Sequence, residues 1–372
     1  MFKFFYRGVF LHTEIIDFLR GQKPVLTLLL PFVITAFLLP RLGKLASRIG
    51  LVDHPNRRKI HKHPKPVVGG IAMSLAVALT GLLFIPLLNL RGFYAGLVLL
   101  VITGFLDDFN ELNHRYKFAA QIIAAVLIIH FSKTSLHTFG DLLSIGSIDF
   151  NMITVPITII SLVGVCNSIN MIDGLDGLAG GTCLTAFSSF AYLSFMNNNP
   201  ALMLLSLCIC GSLIAFLIYN WHPSKLFMGD AGSLFLGFAA AFISIALTQG
   251  QDSFVRPVAP LLVLAVPIVD TLTVMIKRLM KGKNPFRPDR GHLHHILLRL
   301  GYSKRQTAII ITILSGIFCS VAIAGNAFQI PEYYLFFFFM SYFVSYFTAS
   351  FYVRKMIRNR AKLSFSFINS LF

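Results

Sequence analysis

Apolar stretches of membrane-crossing length recur along the chain, separated by short polar links. They fall at roughly 24–40, 67–90, 92–106, 117–131, 153–169, 178–196, 201–219, 232–248, 258–276, 308–325 and 333–353. The pattern predicts an all-α, polytopic integral membrane protein of about eleven transmembrane helices. The third and fourth stretches are short and are expected to tilt little or to be partly re-entrant. Links on one side, such as Asn197–Pro200, read as plain turns. No internal repeat suggests a transporter built from duplicated halves.

Composition agrees with the pattern. Of 372 residues, 56% are hydrophobic and 13% charged, and the mean hydropathy is +0.74, which excludes an ordinary soluble domain. The formal charge of +17 raises nucleic acid as a partner. The basic residues, however, lie in links between spans and not on one soluble face, so topology, anionic membrane lipid and anionic substrate explain them. Nucleic acid is therefore not expected. Lys and Arg in alternate links separate the two sides of the membrane. One side holds eight (41–66), two (107–117), none (170–177), one (220–231), nine (277–307) and five (354–372), which is 25 of the 32. That side is expected to be cytoplasmic. Residues 1–23 then form an extracytoplasmic N-terminal segment without a cleavable signal. Residues 24–353 form one transmembrane catalytic domain, and 354–372 a basic cytoplasmic tail. The five cysteines lie in or beside apolar spans, without metal or disulfide spacing, and read as packing residues.

The candidate chemistry falls on the cytoplasmic side. In Asn167-Ser-Ile-Asn-Met-Ile-Asp-Gly-Leu-Asp-Gly177, the polar side chains Asn167, Asn170, Asp173 and Asp176 recur every third residue. On an ideal helix that step brings successive members to similar directions. Two amides and two carboxylates at a membrane helix end are costly unless something binds them, so a metal ion and a polar ligand are expected here. The adjacent pair Asp107-Asp108 ends the third span. It is either a reach toward one dication, such as Mg²⁺ with substrate phosphates, or a solvated helix end. Asp230 stands between two glycines just before an apolar helix, where it is a metal ligand or a helix cap. The loop 281–305 contains Asp289-Arg-Gly-His-Leu-His-His295, an anion-binding surface more than a zinc site, with lipid headgroups as the alternative ligand. In 52–70, Asp53, Lys62 and Gly69-Gly70 are candidates beside many residues that topology alone explains. Asp270 lies inside the ninth span, as an ion pair within the bundle or a substrate contact. Aspartates for a dication and Arg, His and Lys for phosphates, all at one face, are the parts of a phosphoryl transfer. The acceptor would reach that face from the lipid, along grooves between helices.

Five motifs in this order resemble those of the polyprenyl-phosphate N-acetylhexosamine-1-phosphate transferases: Asp53-His-Pro-Asn-Arg-Arg-Lys-Ile-His61, Leu106-Asp-Asp108, Asn167 to Leu178, Phe227-Met-Gly-Asp-Ala-Gly-Ser-Leu234 and Pro288-Asp-Arg-Gly-His-Leu-His-His295. The resemblance spans residues 50–310. It implies a UDP-sugar and undecaprenyl phosphate as substrates, UMP as a product, and Mg²⁺ or Mn²⁺ as cofactor. It also implies a bacterial cytoplasmic membrane protein with its active site on the cytoplasmic face. The last motif resembles the branch that uses UDP-N-acetylglucosamine to start O-antigen, common antigen or teichoic acid synthesis. Lys65-Pro-Val-Val-Gly-Gly70 departs from the peptidoglycan branch. Catalytic roles are implied for Asp107, Asp108, Asp173, Asp176 and Asp230, with Asp230 and one or other of Asp107 and Asp108 on the metal. Substrate contacts are implied for Asp53, Lys62, Asn167, Asn170, Asn220, Phe227, Asp289, Arg290, His292, His294 and His295. A double displacement through a phospho-aspartate stays open, and a homodimer is a further expectation. The rival from another class is a transporter or flippase of a lipid-linked solute, which would need ionisable groups along a path through the bilayer.

Overall fold

The computed structural model describes residues 21–54, 63–250, 253–285, 289 and 291–369, with the backbone alone at 89 and 354–369. Its α-helices, in chain order, are α1 (Lys23–Ile49), α2 (Gly69–Phe84), α3 (Arg91–Asn110), α4 (His114–Phe131), α5 (Thr154–Ile172), α6 (Leu178–Met196) and α7 (Pro200–Asn220). There follow α8 (Gly229–Thr248), α9 (Val258–Val263), α10 (Ala265–Leu279), α11 (Leu293–Arg299), α12 (Lys304–Ala327) and α13 (Glu332–Asn369). Each of the eleven expected stretches falls on helix. Among the described residues, eight helices are long and apolar enough to cross a membrane, and α2 is a shorter apolar one. The ninth stretch is not one helix but two, α9 and α10, parted at Leu264, whose φ of −101° and ψ of 15° leave the helical region. Pro267 explains the break: it has no N–H to donate to the carbonyl of Val263, four residues back. The expected C-terminal tail continues α13 as helix through Asn369. Lys62 and Arg290 lie outside the described residues.

The bundle is built around α8. Nearly every residue from Ala231 to Ile243 is buried, and phenylalanines 235, 238 and 242 fill its core side. Helices α2, α3 and α5 pack directly against it. Close approach at its N-terminal end needs residues without a side chain. A Cβ on Gly70 or on Gly104 would collide with the backbone of 230–232, so these two glycines let α2 and α3 press on the start of α8. A two-stranded ribbon closes the same end: β1 (Val52–Asp53) pairs antiparallel with β2 (Lys65–Pro66), placing Asp53 opposite Lys65. The segment after α7 zips onto this ribbon, through Phe227 N–H to the Pro66 carbonyl (2.9 Å) and Gly69 N–H to the Phe227 carbonyl (3.0 Å).

The glycine contacts make a test. Gly70→Ala and Gly104→Ala are each expected to lower thermal stability by about 1–3 kcal/mol, as overpacking does. Gly164→Ala, where a Cβ meets nothing within 4 Å, is expected to be neutral or to stabilise by up to about 1 kcal/mol. Thermal unfolding of the three variants in one detergent compares them directly.

Candidate active site

The polar ends of α3, α5, α7 and α8 enclose a cavity of about 920 Å³. Asp53, Asp107, Asp108, Asn170, Asp173, Asp176, Asn220, Phe227 and Asp230 all line it, so nine candidates scattered over nearly 180 residues of sequence meet in one place. Asn167 does not. It faces a second, apolar groove and donates to Gln121 Oε1 (2.8 Å). The expected common direction of the Asn/Asp series is corrected by where α5 ends: Ile172 is its last residue, Asp173 leaves the helical region, and the four side chains fan out.

Asp108 fixes the frame. The first N–H groups of α8 have no partner within their own helix, and Asp108 supplies one from α3. Asp230 N–H donates to Oδ1 (2.7 Å) and Ala231 N–H to Oδ2 (3.2 Å), a carboxylate at the positive end of a helix dipole. Gly229, at φ 74°, leaves the space this needs, since a Cβ there would strike Asp108 and Val67. Asp107, one residue earlier, turns to a different partner. Lys117 Nζ, from the first turn of α4, donates to Asp107 Oδ2 (2.8 Å) and to Asp230 Oδ2 (2.6 Å). Asn170 Nδ2 donates to the remaining Asp230 oxygen (3.1 Å) and to Ser233 Oγ (2.8 Å). Lys117 is the central residue that sequence reasoning missed. Its signal is a cation at the start of an apolar span, which membrane topology alone suffices to explain.

A second cluster lies across the cavity. Asp176 accepts from Ser224 Oγ (2.8 Å) and Ser224 N–H (3.2 Å), lies 2.9 Å from His222 Nδ1, and is 3.7 Å from Lys65 Nζ. Burial opposes its ionisation, but the bonds from His222 and Ser224 and the Lys65 charge outweigh it and hold the carboxyl below the usual range. Lys65 Nζ also donates to Ser224 Oγ (2.7 Å) and stands 4.8 Å from the centre of the Phe227 ring. Lys65, His222 and Ser224 were likewise not anticipated. Asp173 has the opposite character: burial first, then the charges of Asp230 and Asp176, push it up to about 7. Asn220 is already engaged at both ends of its amide, accepting from Gly177 N–H (2.9 Å) and donating to the Leu226 carbonyl (2.9 Å). It braces the two loops that carry Asp176 and Phe227.

The histidine motif stands behind the cavity wall. Asp270 proves to be a contact within the bundle: it lies 2.9 Å from His292 Nδ1 and accepts from Leu293 N–H (2.8 Å) and Tyr346 OH (2.6 Å). His292 and His294 are buried with parallel rings 5.8 Å apart, and the His295 ring follows at 4.2 Å. His294 abuts the Asp173–Asp176 loop, where a Cβ on Gly174 would meet its Nε2 at 2.5 Å. Asp289 is ion-paired with Arg278 (2.9 Å). None of these five residues lines the cavity.

A hard dication takes oxygen ligands, commonly one or two carboxylates plus substrate phosphates. Among the described residues, no group of three or more His, Cys, Asp or Glu is arranged to hold a metal. Asp107 and Asp230 nevertheless suit one, because both aim an oxygen at a single point, the one marked by the Lys117 ammonium.

With the geometry in place, comparison with known proteins decides the family. Residues 90–248 match the family described as Glycosyl transferase family 4. A Pasteurella multocida (strain Pm70) protein named undecaprenyl-phosphate alpha-N-acetylglucosaminyl 1-phosphate transferase is 33% identical, over 91% of this chain and 97% of its own. The chain belongs to glycosyl transferase family 4. A Bacillus subtilis (strain 168) relative, named a probable undecaprenyl-phosphate N-acetylglucosaminyl 1-phosphate transferase, is 32% identical over 80% of this chain and 83% of its own. One from Haemophilus influenzae, named like the first, is 31% identical over 86% and 94%. The family 4 match covers α3 to α8, the helices whose ends carry Asp107, Lys117, Asn170 and Asp230.

His294 yields a pH prediction. Burial first, then neighbouring His295, lowers its ring from 6.5 to about 3, against the pull of Asp270. The unfolded chain therefore takes up this proton more readily, and folded stability falls as the pH drops from 6.5 toward 3. His294→Gln is expected to flatten that part of the pH–stability curve, as read from thermal unfolding at a series of pH values.

Proposed function

We propose that this protein transfers N-acetylglucosamine 1-phosphate from UDP-N-acetylglucosamine to undecaprenyl phosphate, releasing UMP, at the cytoplasmic face of a bacterial membrane. The observation that carries this reading is the adjacency of two compartments along α5. The polar cavity receives Asn170, and an apolar groove of about 920 Å³ receives Asn167, one turn away on the same helix. One compartment suits a nucleotide sugar and the other a polyprenyl chain. The relatives' names and the excess of Lys and Arg on the side of the cavity support the substrates and the orientation.

In the proposed step, an oxygen of the acceptor phosphate forms a bond to the sugar-side phosphorus of the donor. The bond from that phosphorus to the bridging oxygen breaks, and the oxygen leaves with UMP. Lys117 offers the acceptor phosphate a cation beside the reacting centre. Asp107 and Asp230 would hold Mg²⁺ or Mn²⁺, which when bound supplies positive charge to the diphosphate. Asp108 anchors the start of α8 and so fixes where Asp230 points. Phe227 presents a ring on which a base can stack, and Asp176 with Lys65 presents polar groups next to it. Asp173 titrates close to neutral pH, which suits a group that exchanges a proton with substrate.

Purified protein incubated with undecaprenyl phosphate, Mg²⁺ and a panel of UDP-N-acetyl sugars, scored for UMP, tests the reading. UMP is expected from UDP-N-acetylglucosamine and is expected to vanish with EDTA. Asp230→Asn, Asp107→Asn and Lys117→Met are each expected to lower kcat by roughly 10²–10³-fold, the usual cost of removing one charge-stabilising group. UMP from a different sugar would change the donor and keep the chemistry. No UMP from any donor, in folded protein, would overturn it.

A further inference from the structure

The apolar groove changes its lining along its length. It runs between α5, α8, α9, α10 and α13, from Asn167 and Met171 beside the cavity to Ile159 and Ile160 about 18 Å away along α5. At that far end its lining no longer comes from helices. Leu136, Phe139, Leu142, Leu143 and Ile148 belong to the link between α4 and α5, on the membrane face opposite the carboxylates.

This link is a folded hairpin. Phe139 N–H donates to the Ile148 carbonyl (3.0 Å), Ile148 N–H to the Gly140 carbonyl (3.0 Å) and Phe150 N–H to the His137 carbonyl (2.8 Å), around an antiparallel bridge of Thr138 with Asp149. The Phe139 and Phe150 rings pack edge to face at 4.5 Å. Three helices hold the hairpin in place. Gln249, capping α8, accepts from His137 N–H (2.8 Å) and Thr138 N–H (3.0 Å) and donates to the Thr138 carbonyl (3.1 Å). Thr158 of α5 accepts from Leu136 N–H (2.9 Å), and Glu332 of α13 accepts from Asp141 N–H (2.5 Å). The hairpin thus satisfies its own backbone and keeps apolar side chains for the groove.

We propose that this hairpin is the end wall of the acceptor site: it packs against the polyprenyl chain where the chain reaches the far end of the groove, and turns the remainder toward the bilayer. The inference rests on the acceptor reading given under Proposed function. The occupant follows from the adjacency of the groove to the carboxylate cavity along α5, where Asn167 lines the groove and Asn170 the cavity: a phosphate fits on the carboxylate side and hydrocarbon along the groove. Isoprene units gain affinity by burial until the chain meets the wall, and units beyond it gain none.

Two acceptors separate the wall from everything else. Geranyl phosphate, with two isoprene units, is too short to reach the hairpin, whereas undecaprenyl phosphate, with eleven, spans the groove. The double variant Phe139→Ala, Leu142→Ala is expected to raise KM for undecaprenyl phosphate about tenfold, as loss of two apolar contacts implies. Its kcat, and both constants for geranyl phosphate, are expected to stay unchanged. Leu143→Ala, a milder change at a half-exposed position, is expected to shift the long acceptor alone by about threefold. Equal effects on both acceptors, or none on either in both variants, would overturn the end wall. Wild-type protein that releases UMP with neither acceptor would instead overturn the acceptor reading.

Discussion

Asp108 accepts the two free N–H groups at the start of α8, and the rest of the site is placed relative to those bonds. They lock the end of α3 to the end of α8 where no side chain intervenes, because Gly104 and Gly70 allow backbone to approach backbone. The next residue back along α3 is rotated by about 100°, so Asp107 cannot serve the same helix end and faces Lys117 and Asp230 instead. Two adjacent carboxylates of the same type therefore acquire different work from geometry alone. One caps the start of a helix by accepting two of its N–H groups, and the other can exchange its cation for a ligand.

The arrangement has an electrostatic cost that explains its remaining parts. Asp107, Asp173 and Asp230 share a cavity enclosed by apolar helices, where like charges repel more than in water. Lys117 offsets two of them directly. Asp173 has no hydrogen-bonded cation among the described residues, and burial with the charges of Asp230 and Asp176 pushes it up to about 7. Across the cavity, His222, Ser224 and Lys65 keep Asp176 ionised. A phosphate-bearing substrate enters a site whose acidic groups differ in protonation, and that difference is set by neighbours and not by residue type.

The transmembrane frame was legible because runs of apolar residues leave little choice, and the cavity was legible because carboxylates and amides rarely end membrane helices without a purpose. What escaped has physical reasons. Lys117 had a sufficient explanation in membrane topology, so nothing in the one-dimensional pattern marked it as a partner of Asp230, 113 residues away. The break at Leu264 hid in a continuous apolar run, although Pro267 was there to be read. The Asn/Asp series shares a direction only while the helix lasts, and α5 ends at Ile172, so the loop and not the helix places Asp173 and Asp176. The histidines read as an anion site, three rings beside arginines, and the pattern did not show that they stand behind the cavity wall. Asp270, in an apolar span, instead draws His292 inward and shares itself with Tyr346 of the last helix.

A groove between helices was expected for the acceptor, but which elements line it could not be read, since most of its walls are the unremarkable sides of helices chosen for lipid or for packing. Its position nonetheless follows from α5. Asn167 and Asn170 are three residues apart, which on a helix leaves them about 60° apart in direction. That angle suffices to put one amide in hydrocarbon, where it needs Gln121 and the Val163 carbonyl to satisfy it, and the other on Asp230. An amide buried beside lipid-facing residues would be unfavourable without such partners. The pair Gln121 and Asn167 therefore marks the boundary at which a chain of hydrocarbon must end and a charged head group begin. Lys117 stands one helical turn before Gln121 on α4, so the same helix that closes the boundary also presents the cation beyond it.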